Sequence, residues 1–185
     1  ICAETISFFS QNSYIFLGNS SIVFDITIYS SHFIKLLKGN SKSVSNTKSY
    51  KPEIGWQPIK YVNDPDVNVW FGNTPTDTVI HWHYDTFSLP TGAKLLASSE
   101  ACPNQAFTIG KALAMQFHIE MDEAKAQEWA NDEDPKWAGA REQYNTVQDS
   151  TAILEGIEPN LIQHQATASH IYCTWLGSTE WAEKL

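Results

Sequence analysis

The sequence predicts an α/β domain in which a run of short strands is followed by a run of helices. Three observations carry this. Ile22-Val23-Phe24-Asp25-Ile26-Thr27-Ile28 is rich in β-branched residues. Segments further on alternate in polarity, as half-buried strands do. From Asp122 the apolar spacing changes to 3- and 4-residue steps. Strands followed by helices define an α/β class with antiparallel additions.

The elements are expected in this order. After the strand at 22–28, Ser31 to Lys38 is expected as a short helix stopped by Gly39-Asn40, and Ser41 to Tyr50 as a polar loop. Ile54 to Val62 contains Gly55 and Pro58 and reads as a short, irregular strand. Asn68 to Phe71 and Thr78 to Tyr84 read as strands, and Leu89-Pro90-Thr91-Gly92 as a turn. Lys94 to Ala97 and Ala106 to Ile109 are two more strands. Gly110-Lys111 turns into a further strand over Ala112 to His118. Asp122 suits the N-cap of a helix running to Ala130, which Pro135 separates from the next helical stretch. Further helices are expected at Ala138 to Gln148 and Leu161 to Trp175.

Composition limits the function classes. The chain has 185 residues, 42% hydrophobic and 12% aromatic, enough for one packed domain. A net charge of -9 argues against binding a phosphate backbone. The three cysteines, Cys2, Cys102 and Cys173, are an odd, scattered set rather than a disulfide framework, and a reducing cytoplasm is the expected compartment. No apolar run reaches the ~20 residues needed to span a bilayer. Residues 1–50 are serine-rich, with Glu4 and Asp25 as their acids. Acids, tryptophans and prolines become common from Lys51. Two segments are therefore expected, 1–50 and 51–185, the first a divergent or aberrant stretch.

The most informative residues are Gln116-Phe117-His118-Ile119-Glu120. On a strand, positions i and i+2 share a face, so His118 and Glu120 are expected side by side. A carboxylate beside an imidazole fixes its tautomer and raises its basicity, as a general base requires. His81, His83 and Asp85 also share a strand face and superficially match a zinc-hydrolase triplet. Thr86 stands where such a motif continues with His, and no second histidine cluster follows, so no metal is expected.

The segment Gln116 to Glu120 resembles the Q-F-H-P-E signature of class I glutamine amidotransferases, with Ile119 replacing Pro. Glu53-Ile54-Gly55-Trp56, Trp70-Phe71-Gly72, the run His81 to Pro90 and the run Leu96 to Phe107 resemble stretches of that family's GMP-synthase-like, stand-alone subgroup. They occur in the family's order, from Glu53 to about Asp122. The resemblance implies a flavodoxin-like amidotransferase fold, lacking its N-terminal side and ending in a helical tail. It implies hydrolysis of the glutamine side-chain amide to glutamate and ammonia, with ammonia passed to an acceptor. Glutamine is thus the expected small-molecule partner. No cofactor, nucleic acid or membrane is implied. His118 and Glu120 match the family's base and its orienting acid, and His83 and Asp85 are expected in the substrate-binding wall.

The family's third catalytic group is a cysteine on a G-x-C-x-G elbow, exposed by a strained turn with its thiolate favoured by a helix N-terminus. At the matching distance from His118 this chain reads Ile28-Tyr29-Ser30-Ser31-His32, with Tyr29 where Cys belongs and Ser31 where Gly belongs. The other candidate, Cys2 in Ile1-Cys2-Ala3-Glu4, has Glu4 in place of the second glycine, and that carboxylate raises a thiol's pKa. The expectation is an amidotransferase-like chain, inactive as written. The alternatives are a non-catalytic relative that binds a small molecule or partner, or a metal-dependent hydrolase using His81, His83 and Asp85.

Overall fold

A computed structural model of the protein describes residues 26–28, 46–110, 112–132 and 134–177. Strands β1 (Ile26–Ile28), β3 (Lys60–Tyr61), β5 (Lys94–Ser98), β6 (Ala106–Ile109) and β7 (Ala112–Met115) form a five-stranded sheet in the order β1-β7-β6-β5-β3. β1 runs parallel to β7, with Ile28 beside Met115. The other neighbours are antiparallel. A second, two-stranded antiparallel sheet joins β2 (Asn46–Pro58) to β4 (Thr78–Phe87).

Five helices complete the described fold: α1 (Pro65–Phe71), α2 (Glu123–Ala130), α3 (Pro135–Gln143), α4 (Ser150–Glu155) and α5 (Ile157–Gly177). An aspartate caps each of the first four. Asp64, Asp122, Asp134 and Asp149 accept backbone N–H groups of Asp66, Lys125, Lys136 and Ala152. These bonds satisfy donors that the helix itself leaves open.

Several sequence expectations are corrected here. Asn68 to Phe71 is the end of helix α1, not a strand. The Asp64-Pro65 pair, an N-cap with Pro at the first helical position, starts the helix. Asn46 to Tyr50 is strand rather than loop, and β2 runs unbroken across residue 50 to Pro58. β7 stops at Met115, short of His118. α3 begins at Pro135 and ends at Gln143, and α4 has no counterpart among the expected helices. The expected helix at Ser31 to Lys38 lies outside the described residues.

Two apolar clusters hold the elements. One packs Leu96, Leu113, Met115 and Phe117 against Val67 and Phe71 of α1 and Ala168 and Ile171 of α5. The other packs Ile54, Trp56 and Ile80 against Ala126, Trp137 and Ile153 of the helices. Gln148 clasps Trp56 in both directions, its amide oxygen accepting from Trp56 N at 2.8 Å and its amide nitrogen donating to Trp56 O at 2.9 Å. The Trp56 indole N–H donates to the Ile153 carbonyl at 3.0 Å. These bonds join β2, in the second sheet, to the helical layer. No described helix is long and apolar enough to cross a membrane.

Candidate active site

After β7 the chain is held residue by residue. Gln116 N–H donates to the Gln105 carbonyl at 2.9 Å, and His118 N–H donates to the Ile80 carbonyl of β4 at 2.9 Å. The His118 carbonyl in turn accepts Nε2–H of His164, on α5, at 2.9 Å. With its backbone fixed on both sides, His118 presents its ring to Glu120, and Nδ1 lies 2.7 Å from Glu120 Oε1. The reason differs from the one the pattern suggested. His118 is past the strand, and Ile119 and Glu120 form a turn, so the turn brings the two side chains together rather than a strand pleat. Trp129 of α2 closes one side of the ring, edge to face at 4.8 Å.

The pair is reachable from outside, with side chains 15% and 22% exposed. Nδ1 donates to the carboxylate, which leaves Nε2 as the nitrogen able to take up a proton. Burial alone raises the Glu120 pKa. The charge of His118 and its hydrogen bond outweigh that, and the carboxyl ends below its ordinary value. His164 behaves oppositely. Burial dominates and pushes it down to about 4, despite the upward pull of its bond to the His118 carbonyl and of Glu120. It therefore remains a neutral donor around pH 7. Its ring also meets Trp56 edge-on at 5.4 Å.

A second histidine–carboxylate group lies between β2 and β4. Glu53 stands opposite His83 in the cross-strand register, and Gly55 opposite His81. Glu53, His81 and His83 are all buried. His83 Nε2 is 3.2 Å from Glu53 Oε2, close enough for an ion pair though outside hydrogen-bond geometry. His83 Nδ1 meets the carbonyl of Asp85 at 3.0 Å. His81, His83 and Asp85 therefore do not act as a triplet of side chains: Asp85 contributes its backbone, and Glu53 brings the carboxylate. His83, expected in the substrate wall, is buried, with Nδ1 bonded to a backbone carbonyl and Nε2 facing Glu53, while Asp85 is half-buried. Burial, aided by the neighbouring His83, holds the His81 pKa well below its ordinary value.

Gln116, the first residue of the motif, is structural. Its amide bonds Thr86 Oγ1 at 3.1 Å, Cys102 Sγ at 3.2 Å and the Asn104 carbonyl. Cys102 is fully buried in that network. Cys2 and Tyr29, the two candidate nucleophile positions, lie outside the described residues.

Sequence reasoning misses three participants. Glu53 is visible there only as part of a matching run, because nothing in a chain tells which cross-strand partner a carboxylate meets. Gln105 bonds Glu53 Oε2 at 2.6 Å, a contact that depends on how a loop folds back. His164 does leave a signal, as a lone histidine within the apolar stripe of a helix.

A mixed sheet leads into a His–Glu pair and then into helices, the order that the resemblance to glutamine amidotransferases implies. The comparison with solved structures agrees: the chain has the fold of class I glutamine amidotransferases over about 72% of its length. It is similar to a glutamine amidotransferase from Methylobacillus flagellatus, with 30% sequence identity and a TM-score of 0.67, the match covering 72% of this chain and 55% of that one. It is also similar to a glutamine amidotransferase from Thermotoga maritima, with 29% identity, 73% and 56% coverage and a TM-score of 0.58. The chain thus spans about half the length of these relatives. No family model matches it, and no curated protein does.

Proposed function

We propose that this chain carries the base and the orienting acid of a glutamine amidotransferase centre, but lacks a working nucleophile as written. The observation that supports it is the 2.7 Å contact between His118 Nδ1 and Glu120 Oε1 in a position open to substrate. In the reaction this arrangement suits, a thiolate adds to the γ-amide carbon of glutamine. The thiol's proton passes to His118 Nε2 and from there to the departing ammonia. Water, deprotonated by the same nitrogen, then releases glutamate. Glu120 keeps the ring in the required tautomer and stabilises the imidazolium.

Of the two nucleophile positions that the sequence offers, Tyr29 carries a phenol, which does not replace a thiolate, and Cys2 is followed by Glu4 where the elbow needs its second glycine. Glutamine is the partner in this reading, the cytoplasm its compartment, and the net charge of -9 disfavours nucleic acid.

The test is glutamate release from glutamine, with and without a glutamine-mimicking diazoketone, and then mass mapping of Cys2, Cys102 and Cys173. The expected result is no detectable turnover and no selective labelling, because losing a covalent nucleophile removes about 10⁴ to 10⁶ in rate. Turnover abolished by stoichiometric modification of Cys2 would overturn the inactive reading. Calorimetric titration with glutamine separates the remaining cases: binding without turnover supports a non-catalytic relative using the same cleft.

A further inference from the structure

The Glu53–His81–His83 group has more unpaired ligand atoms than a structural ion pair leaves. One donor atom from each residue lies within 4.8 Å of the other two. Exposure is 2% for Glu53, 0% for His81 and 6% for His83. His81 makes no hydrogen bond through either ring nitrogen, and His83 Nε2 makes none. Buried polar atoms are nearly always paired, so three on adjacent rings require an explanation.

Hydrogen-bond logic narrows it. A carbonyl oxygen only accepts, so His83 Nδ1 carries the proton it points at the Asp85 carbonyl. In a neutral ring that leaves a lone pair on Nε2, facing the Glu53 carboxylate oxygen 3.2 Å away. Two acceptors face each other, an arrangement that a cation between them would satisfy. An extra proton on His83 accounts for that contact but leaves both nitrogens of His81 unexplained. A metal ion accounts for that contact and also for one of the two His81 nitrogens, taking one donor atom from each side chain. The 3.2 Å separation also suits two donors on one tetrahedral ion, which stand roughly 3.3 Å apart when the bonds are about 2.0–2.1 Å.

The surroundings are those of a metal centre as well. The Nδ1–H bond to Asp85 fixes the tautomer that presents Nε2, and the Gln105 amide steadies Glu53 Oε2 while donating also to Ser99 Oγ at 3.0 Å. Outer bonds of this kind orient ligands and are part of how such sites work. We infer that Glu53, His81 and His83 form a buried site for one divalent transition-metal ion of the zinc class, joining β2 to β4. Two imidazoles and a carboxylate suit zinc better than calcium or magnesium, which prefer all-oxygen shells. This site does not depend on the glutamine reaction, and its test does not read activity.

The experiment uses the full chain, stripped with a chelator, reloaded with zinc and dialysed. Elemental analysis should find one equivalent of zinc, and zinc should raise the melting midpoint of the stripped protein. X-ray absorption at the zinc edge should report two imidazole nitrogens and carboxylate oxygen, with no sulfur. His83→Asn and Glu53→Gln should each weaken zinc binding by roughly 100-fold or more. The absorption spectrum of the unsubstituted protein decides the matter even where a variant fails to fold. Sulfur in the shell would mean that a cysteine holds the ion, and less than stoichiometric zinc after dialysis would mean that the three side chains do not hold one. Either result overturns the inference.

Discussion

The described residues include two histidine–carboxylate pairs, and they differ in everything except their chemistry. His118 and Glu120 are two residues apart, meet across a turn and are partly open to solvent. His83 and Glu53 come from different strands and are almost completely buried. In the first pair one ring nitrogen is held and the other is left for chemistry. In the second both ring nitrogens face protein atoms, and the carboxylate is shared with Gln105. The difference shows that a histidine beside an acid is not by itself a catalytic sign. What decides its use is whether a proton or substrate can reach the remaining nitrogen.

The largest expected effect comes from the buried pair. Glu53→Ala leaves His83 and the Gln105 amide facing a cavity, and breaking a buried pair from one side typically costs about 3–5 kcal/mol. Glu120→Ala removes a carboxylate whose side chain is 22% exposed, and it should cost less than Glu53→Ala, which removes a sealed one. Urea denaturation of both variants at pH 7 measures the contrast. Equal losses would erase the distinction drawn between the pairs.

His164 connects the comparison to pH. It supports the exposed pair from behind through the His118 carbonyl, and yet it is itself fully buried. Its pKa falls from an ordinary 6.5 in the unfolded chain to about 4 in the fold. Between those values the unfolded chain binds more protons, so stability is complete above about pH 6.5 and declines as pH falls towards about 4. A shift of this size corresponds to about 3 kcal/mol. His164→Gln, which retains a donor for the His118 carbonyl, should flatten stability against pH in that window. An unchanged slope would show that the fold leaves the His164 pKa at its unfolded value.

How much of this is legible in the sequence depends on the range of each interaction. The strands at Thr78, Lys94 and Ala106 announce themselves through side-chain pattern, and α2 through its Asp122 cap. The His118–Glu120 contact spans two residues, so local geometry of either kind, strand or turn, brings the side chains near each other. The Glu53–His83 contact depends on the register of β2 against β4, which includes an irregularity between Lys48 and Glu53. Periodicity carries no record of that register, and so Asp85, nearer in sequence, looks like the carboxylate. Helix α1 is hidden for a similar reason: Asn68 to Phe71 resembles a strand until Asp64 and Pro65 are read as its cap.

The smallest expected effect tests the exposed pair most directly. Glu120→Gln keeps the size of the side chain and a carbonyl oxygen to accept from His118 Nδ1. It removes the charge. The Glu120 carboxyl titrates below its ordinary value in the fold, because His118 favours the ionised form more strongly than burial opposes it. A carboxyl of that kind contributes stability that is fully present above its unfolded pKa, near 4.3, and is lost as pH falls through the lower folded value. The wild-type protein should therefore be the more stable of the two at pH 7, and the gap should close as the pH falls below about 4. Paired urea titrations from pH 7 down to the acid limit of folding supply the measurement. A gap of several kcal/mol at pH 7 would mean that Glu120 is held as tightly as Glu53, and the contrast between an open pair and a sealed one would have to be given up.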